Sequence, residues 1–331
     1  MGISESATVR EKLRFFNNSR TLTSGCTKLT LVNGFFGERL TDIAQAHGVE
    51  VVPVTAPWGQ PIDVDAVRAT LDKEPGIACL IGVHHETSTG VLNPVADLGA
   101  VCREFDVPFI VDATSSLDGE DLAMDDWGID ICVATCNKCL EALPGLAPVA
   151  VSPCAWDLID RHRGGPSGWY LNLRVWRRSR DEWWGWHPAP VTIPTGNVLA
   201  LYAALDQLYA EGLQNRLVRY RTLARLLRTE LRNLGFELFA DEKCASSSVT
   251  AVRRLPGMDV ARLVDFLRNE FGILIASGLG ETRGEIFRVG HKVVLHLHLL
   301  GTVLVSQPYC TRCCGLRATF ILLSRCKVMG E

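Results

Sequence analysis

The sequence predicts an α/β protein, with a mostly parallel sheet in a large domain followed by a smaller α+β domain. Two observations predict it. From about residue 29, short apolar runs alternate with helical stretches, the runs being "LTLVNG", "VEVVPV", "IACLIGVHHE", "VPFIVDATSS" and "IDICVATCNK". These runs are continuously apolar rather than alternating, which is the pattern of parallel strands buried on both faces. The 331 residues are enough for two sizeable cores.

Taken in order, the helical stretches between these strands are "RLTDIAQAHG", "VDAVRATLDKE" and "VADLGAVCREFD". Three of the strand runs end in polar residues: His84-His85-Glu86, Asp112 and Asn137-Lys138. Open α/β sheets bind ligands beyond the carboxyl ends of their strands, so these three ends point to one crevice. Residues 153 to 196 read as loop-rich and hold Trp169, Trp176, Trp183, Trp184 and Trp186. A long helix, "NVLALYAALDQLYAEGL", and a basic one, "VRYRTLARLLRTELRNLG", follow. The stretch from Ser247 to Gly278 then reads strand, helix, strand, as a small α+β domain would. The expected organisation is an atypical leader (1–28), a large domain (29–215), a small domain (216–292) and an atypical tail (293–331).

Bulk properties narrow the function. Composition is 47% hydrophobic and 21% charged, with a net charge of -3, which argues against nucleic acid or an anionic membrane as partner. No run reaches the roughly 18 apolar residues of a membrane span, and the start lacks the apolar run of a secretory signal. Of twelve cysteines, eight lie between Cys26 and Cys244, mostly in apolar runs that suit reduced, buried thiols of an intracellular protein. The other four crowd into the tail. The final "KVMGE" is no peroxisomal tripeptide, so the cytoplasm is the expected compartment.

Cys136-Asn137-Lys138-Cys139 allows three chemistries. A structural zinc site needs four ligands, and the other CxxC, Cys310 to Cys313, lies in the tail; no metal is expected. A thioredoxin-like redox pair would follow a strand in this way, though usually near the start of a small domain. The third reading makes the lysine the working residue and the thiols packing groups. A lysine at the end of a buried strand is costly unless paired, neutral or covalently used, and a desolvated amine attacks carbonyls well. A pyridoxal phosphate (PLP) site also needs a carboxylate for the ring nitrogen, and Asp112 ends the preceding strand run.

The segments "VNGFFGER", "HHETSTGVLNP", "FIVDATSSLDG", "GIDICVATCNKCLEALPG" and "GLGETRGEIFRVGH" resemble, in order and spacing, those of class V PLP-dependent aminotransferases. The likeness runs from about Leu29 to His291 and is greatest to the alanine–glyoxylate and serine–glyoxylate enzymes, with 2-aminoethylphosphonate–pyruvate aminotransferase nearby. It implies a type I PLP-transferase fold and a homodimer with active sites at the subunit interface. It also implies transfer of an amino group from a small amino acid, alanine or serine, to a 2-oxo acid such as glyoxylate or pyruvate. Lys138 would be the Schiff-base lysine and proton carrier, and Asp112 the partner of the pyridinium nitrogen. Phe36 would stack on the cofactor ring, unless it is an ordinary core phenylalanine. Thr87 would hydrogen-bond the phenolic oxygen, and Asn137 would neighbour the phosphate. Thr192, or equally Thr195, would reach the other subunit's phosphate, and Arg288 would clamp the substrate carboxylate.

The resemblance also has gaps. The family's glycine-rich phosphate loop has only Ser24-Gly25-Cys26-Thr27 as a counterpart, and the helix expected after "RVGH" gives way to the odd tail. Splicing, frameshift or truncation would produce such ends. Two further readings therefore stand beside the first: aminoethylphosphonate–pyruvate transfer, and a catalytically silent truncated form that acts only by dimerising.

Overall fold

The computed structural model describes residues 5–6, 27–161, 168–187 and 189–291, with backbone alone for 5–6. Ser24, Gly25 and Cys26 of the phosphate-loop remnant, and the cysteine-rich tail, lie outside the described residues.

Seven strands form the large sheet: β1 (Glu5–Ser6), β2 (Thr27–Val32), β3 (Val51–Thr55), β4 (Ile77–Val83), β7 (Phe109–Asp112), β8 (Ile131–Val133) and β9 (Pro148–Val151). Their spatial order is β1-β9-β8-β7-β4-β2-β3. The pairs β2–β3, β2–β4, β4–β7 and β7–β8 are parallel, while β9 runs antiparallel to both β8 and β1. The short hairpin β5 (His85–Glu86) and β6 (Val91–Leu92) follows β4.

Both faces of the sheet are covered, which is why its strands read as unbroken apolar runs. In β4, Leu80 packs with Val67 and Leu71 of α2 (Val64–Lys73) and with Leu98 and Val101 of α3 (Val95–Glu104). Its neighbours Cys79 and Ile81 point the other way, onto Leu40 and Ile43 of α1 (Phe35–Ala46) and Ala155 of α4 (Pro153–Arg161). Helix α2 starts where the Asp63 carboxylate accepts the Asp65 N–H at 2.9 Å. Helix α1 lies so close to β2 that a Cβ on Gly37 would sit 2.6 Å from the Leu31 carbonyl oxygen, so this position needs glycine.

Residues 153–196 differ from their loop-rich reading. They contain α4, the short helix α5 (Leu173–Arg178) and a π turn, Ser179–Trp183. The Asn172 side chain caps α5 by accepting the Arg174 N–H at 3.1 Å, and Arg177 lies 4.2 Å from the Trp156 ring centroid. The dense tryptophans and arginines hid this local helical order. The cysteines also divide: Cys79, Cys102, Cys132, Cys136 and Cys139 are buried, but Cys154 is exposed and Cys244 half-buried.

Helix α6 (Thr195–Glu211) ends at Gly212, whose φ of 82° turns the chain into the 21-residue helix α7 (Leu213–Asn233). The small sheet has the order β10-β12-β11, built from β10 (Val249–Arg253), β11 (Ala276–Ser277) and β12 (Ile286–Gly290). It packs Val252 and Phe287 against Leu227 and Leu231 of α7, and against Leu263 and Leu267 of α8 (Val260–Phe271). Among the described residues, no helix is long and apolar enough to cross a membrane.

Candidate active site

The three polar strand ends lie on neighbouring strands, because β4, β7 and β8 are adjacent and parallel. Asp112 is the last residue of β7. Lys138 is not itself at a strand end, as first read. It lies five residues beyond β8, in a turn closed by the Glu141 N–H donating to the Lys138 carbonyl at 3.0 Å. The loop is tied at its base where the Cys136 N–H donates to the Leu146 carbonyl at 3.2 Å. Cys136 and Cys139 are fully buried, and burial pushes the Cys136 thiol up to about 11, far from the thiolate that redox or metal chemistry uses. Among the described residues, no three His, Cys, Asp or Glu side chains group as metal ligands would.

Burial raises the Asp112 carboxyl above the ordinary carboxylate range. Hydrogen bonding from Thr114 and the positive charges of Arg39 and Lys138 work against that rise. The Thr114 N–H donates to Oδ1 at 2.8 Å. Asp112 and Lys138 are therefore electrostatic neighbours, and Arg39 joins them from α1. A cationic N–H placed at this carboxylate would relieve its desolvation, so the donor set fits a protonated pyridine ring.

Glu86, which sequence reasoning passed over as part of a polar run, organises the other side. Its carboxylate is wholly buried. Oε2 accepts the N–H groups of Phe36 at 3.1 Å and Gly37 at 3.0 Å, while Oε1 accepts the Ser88 N–H at 3.1 Å and its hydroxyl at 2.5 Å. The carboxylate thus fills the N-terminus of α1, where unpaired N–H groups and the helix dipole favour an anion. Gly34 leaves it room, since a Cβ there would lie 2.4 Å from Glu86 Cγ.

The side chains named from the sequence are distributed unevenly. Thr87 is buried, and its hydroxyl donates to Ser115 Oγ at 2.5 Å. Arg288 reaches across from β12, its Nη1 donating to the Thr87 carbonyl at 3.0 Å and its Nε to the Ser277 carbonyl at 3.0 Å. Desolvation lowers the Arg288 guanidinium's pKa, and the charge of Glu86 opposes that shift. Phe36 is half-buried, edge-on to Phe35 at 5.6 Å, and packs on the core beneath α1. Asn137 is exposed and accepts the Thr135 hydroxyl at 2.6 Å. Thr192, just before α6, and Thr195, its first residue, are exposed, and the start of α6 is tethered to the lysine loop by the Asn197 amide donating to the Pro144 carbonyl.

Sequence reasoning named His85 only as part of a polar strand end and gave it no role, and it missed Ser115. The Ser115 carbonyl lies 3.1 Å from His85 Nδ1, which also contacts Ser246 Oγ at 3.3 Å and Ser248 Oγ at 3.2 Å. The triple serine Ser246-Ser247-Ser248 was the available signal, since such a run just before a strand has little reason to be buried unless it meets polar partners.

The family model "Aminotransferase class-V" matches residues 38–303 of this chain. An uncharacterised aminotransferase of Methanocaldococcus jannaschii is 37% identical over 273 residues, 82% of this chain and 70% of that protein. The L-aspartate–glyoxylate aminotransferase of Paracoccus denitrificans is 32% identical, over 82% of this chain and 69% of its own length. Among solved structures, an alanine–glyoxylate aminotransferase from Nostoc sp. superposes with a TM-score of 0.83 at 28% identity, covering 98% of this chain and 80% of that one. The chain belongs to the class V aminotransferase family and is a pyridoxal phosphate-dependent aminotransferase of the α/β type I fold.

Proposed function

We propose that this aminotransferase moves an amino group from a small amino acid, alanine or serine, to a 2-oxo acid such as glyoxylate or pyruvate, with Lys138 as the reacting amine. The carrying observation is the placement of Asp112 at the end of β7 and Lys138 just beyond the neighbouring parallel β8, near enough for the lysine's charge to act on the Asp112 carboxyl. When bound, PLP supplies a carbonyl for the amine and a sink for the electrons of the broken Cα–H bond. Lys138 Nζ would hold the cofactor covalently and would serve as the base that carries the substrate's α-proton. Asp112 would hold the ring nitrogen protonated, Phe36 would cover the ring face, and Thr87 would bond the phenolic oxygen. Asn137 would neighbour the phosphate. Arg288, already fixed by two backbone carbonyls, presents its guanidinium fork to the substrate carboxylate. In this reading residues 29–215 hold the cofactor and 216–292 bring the clamp.

The working form is a homodimer. Leu199, Tyr202 and Tyr209 of α6 are each about two-thirds exposed, a patch that a second copy covers. That copy would then lie over Thr192 and Thr195, which reach its phosphate.

The deciding experiment is the visible spectrum of the purified chain with added PLP, followed by borohydride and peptide mapping. The expected result is a long-wavelength band and a reduced adduct on Lys138, both absent from Lys138→Ala. No band at saturating PLP would sink the catalytic reading and leave the silent dimerising form. An amino-donor panel with glyoxylate and pyruvate reads the substrate, and turnover of 2-aminoethylphosphonate there would overturn the glyoxylate assignment. Light scattering at the mass of one chain would remove the dimer.

A further inference from the structure

The back of the lysine loop is held by a buried charged network that the chemistry above does not use. Arg216, in the first turn of α7, is 2% exposed, and its Nη1 donates to the Cys139 carbonyl at 3.1 Å. Its Nε donates to Glu211 Oε2 at 2.8 Å. Arg219 bonds the same carboxylate, Nε to Oε1 at 2.6 Å and Nη2 to Oε2 at 3.1 Å. One turn on, the fully buried Tyr220 donates its hydroxyl to Glu141 Oε1 at 2.9 Å, with Arg219 Nη2 3.9 Å from the same oxygen.

Two arms of this network end on the turn that carries Lys138, Arg216 on the Cys139 carbonyl and Tyr220 on the Glu141 carboxylate. Glu141 has a φ of +60°, a left-handed conformation that a side chain other than glycine adopts only under constraint. From that conformation its N–H closes the turn onto the Lys138 carbonyl. The opposite wall is equally close: a Cβ on Gly119 would lie 2.5 Å from Cys139 Sγ and 3.6 Å from the Tyr220 ring. Buried ion pairs seldom stabilise a fold more than apolar packing would. A buried arginine that joins Glu211 to the backbone carbonyl one residue after the reacting lysine is better explained by geometry than by stability.

We propose that Arg216 and Tyr220 are positioning residues. They set the aim of Lys138, Arg216 through the Cys139 carbonyl and Tyr220 through the left-handed Glu141. This rests on the assignment of Lys138 as the reacting amine. Tyr220→Phe keeps the ring and removes the grip on Glu141, and Arg216→Lys keeps a charge without the fork that spans Glu211 and the carbonyl.

The test follows borohydride trapping of PLP on Lys138 in the full chain against time, with the PLP-induced circular dichroism band and the melting temperature. Each variant is expected to trap about tenfold more slowly and to weaken the dichroism band, with its melting temperature within a few degrees of wild type. Wild-type trapping rates with an unchanged band would overturn the proposal. So would a trapping loss that merely follows a lower melting temperature. If Tyr220→Phe does not fold, Arg216→Lys carries the test alone. Lys138→Ala separates the two ideas: trapping that persists in it defeats the lysine assignment, whereas trapping on Lys138 that is indifferent to both variants defeats only the positioning.

Discussion

The two ends of helix α7 rest on surfaces of opposite kind. Its first turns present Arg216 and Tyr220 to the lysine loop through directed hydrogen bonds. Its later turns present Leu227 and Leu231 to the small sheet, in a core with Val252, Leu263, Leu267 and Phe287. The same contrast separates the regions these ends touch. Beyond β4 the chain buries His84, His85, Glu86, Thr87, Ser88 and Thr89 in succession, a costly arrangement that only a dense hydrogen-bond network offsets. The small-sheet core rests mainly on apolar area, with the buried Arg228 of α7 donating to Thr250 Oγ1 and the Ser246 carbonyl at its edge. Where the fold carries chemistry it spends directional interactions, and where it carries load it uses packing.

One pair of substitutions tests that contrast directly. Glu86→Ala leaves three N–H groups and the Ser88 hydroxyl without their acceptor, and should cost about 4 kcal/mol of stability and weaken PLP binding as well. Leu267→Ala opens a void in the small core and should cost about 3 kcal/mol, with PLP affinity unchanged at temperatures where the variant is folded. Denaturant melts alongside PLP titrations check both. Equal loss of PLP affinity in the two variants would dissolve the distinction.

Protonation sharpens the contrast. Burial lowers His84 from 6.5 to about 4, so the folded protein binds this proton less readily than the unfolded chain does. The associated stability is complete above pH 6.5 and is lost as pH falls toward 4, up to about 3 kcal/mol. Melting measured across that window should show the slope, and His84→Gln should flatten it.

Arg288→Lys tests the clamp, where the two regions meet. A lysine cannot hold the Ser277 and Thr87 carbonyls while offering a planar fork to substrate, so KM for the amino donor should rise about tenfold with little change in melting. An unchanged KM would remove Arg288 from the substrate site.

The smallest effect has the opposite sign. The raised Asp112 carboxyl binds its proton more tightly in the folded protein, so its ionisation removes stability as pH rises between the ordinary carboxylate range and the raised value. PLP-free Asp112→Asn should therefore melt about 2–4 °C higher than wild type at neutral pH, a gain that fades toward pH 4. The same variant should hold PLP less tightly. A variant that melts no higher at neutral pH would show that Asp112 bears no such strain.

The sequence by itself determined that the large sheet is mostly parallel, because continuous apolar runs have no stable place except between two covered faces. It also brought out Lys138 and Asp112, since ionisable residues at or just beyond the ends of greasy runs are rare enough to stand out. Ser115 did not stand out, and His85 and Glu86 showed only as a polar strand end without roles, because their value comes from partners up to 163 positions away, as between His85 and Ser248. Arg216 and Tyr220 were less legible still. In a basic helix such as "NRLVRYRTLARLLR" every arginine looks like a solvated side chain. Only the tertiary structure, by laying the first turns of α7 against the lysine loop, decided which of them would be buried and what each would hold.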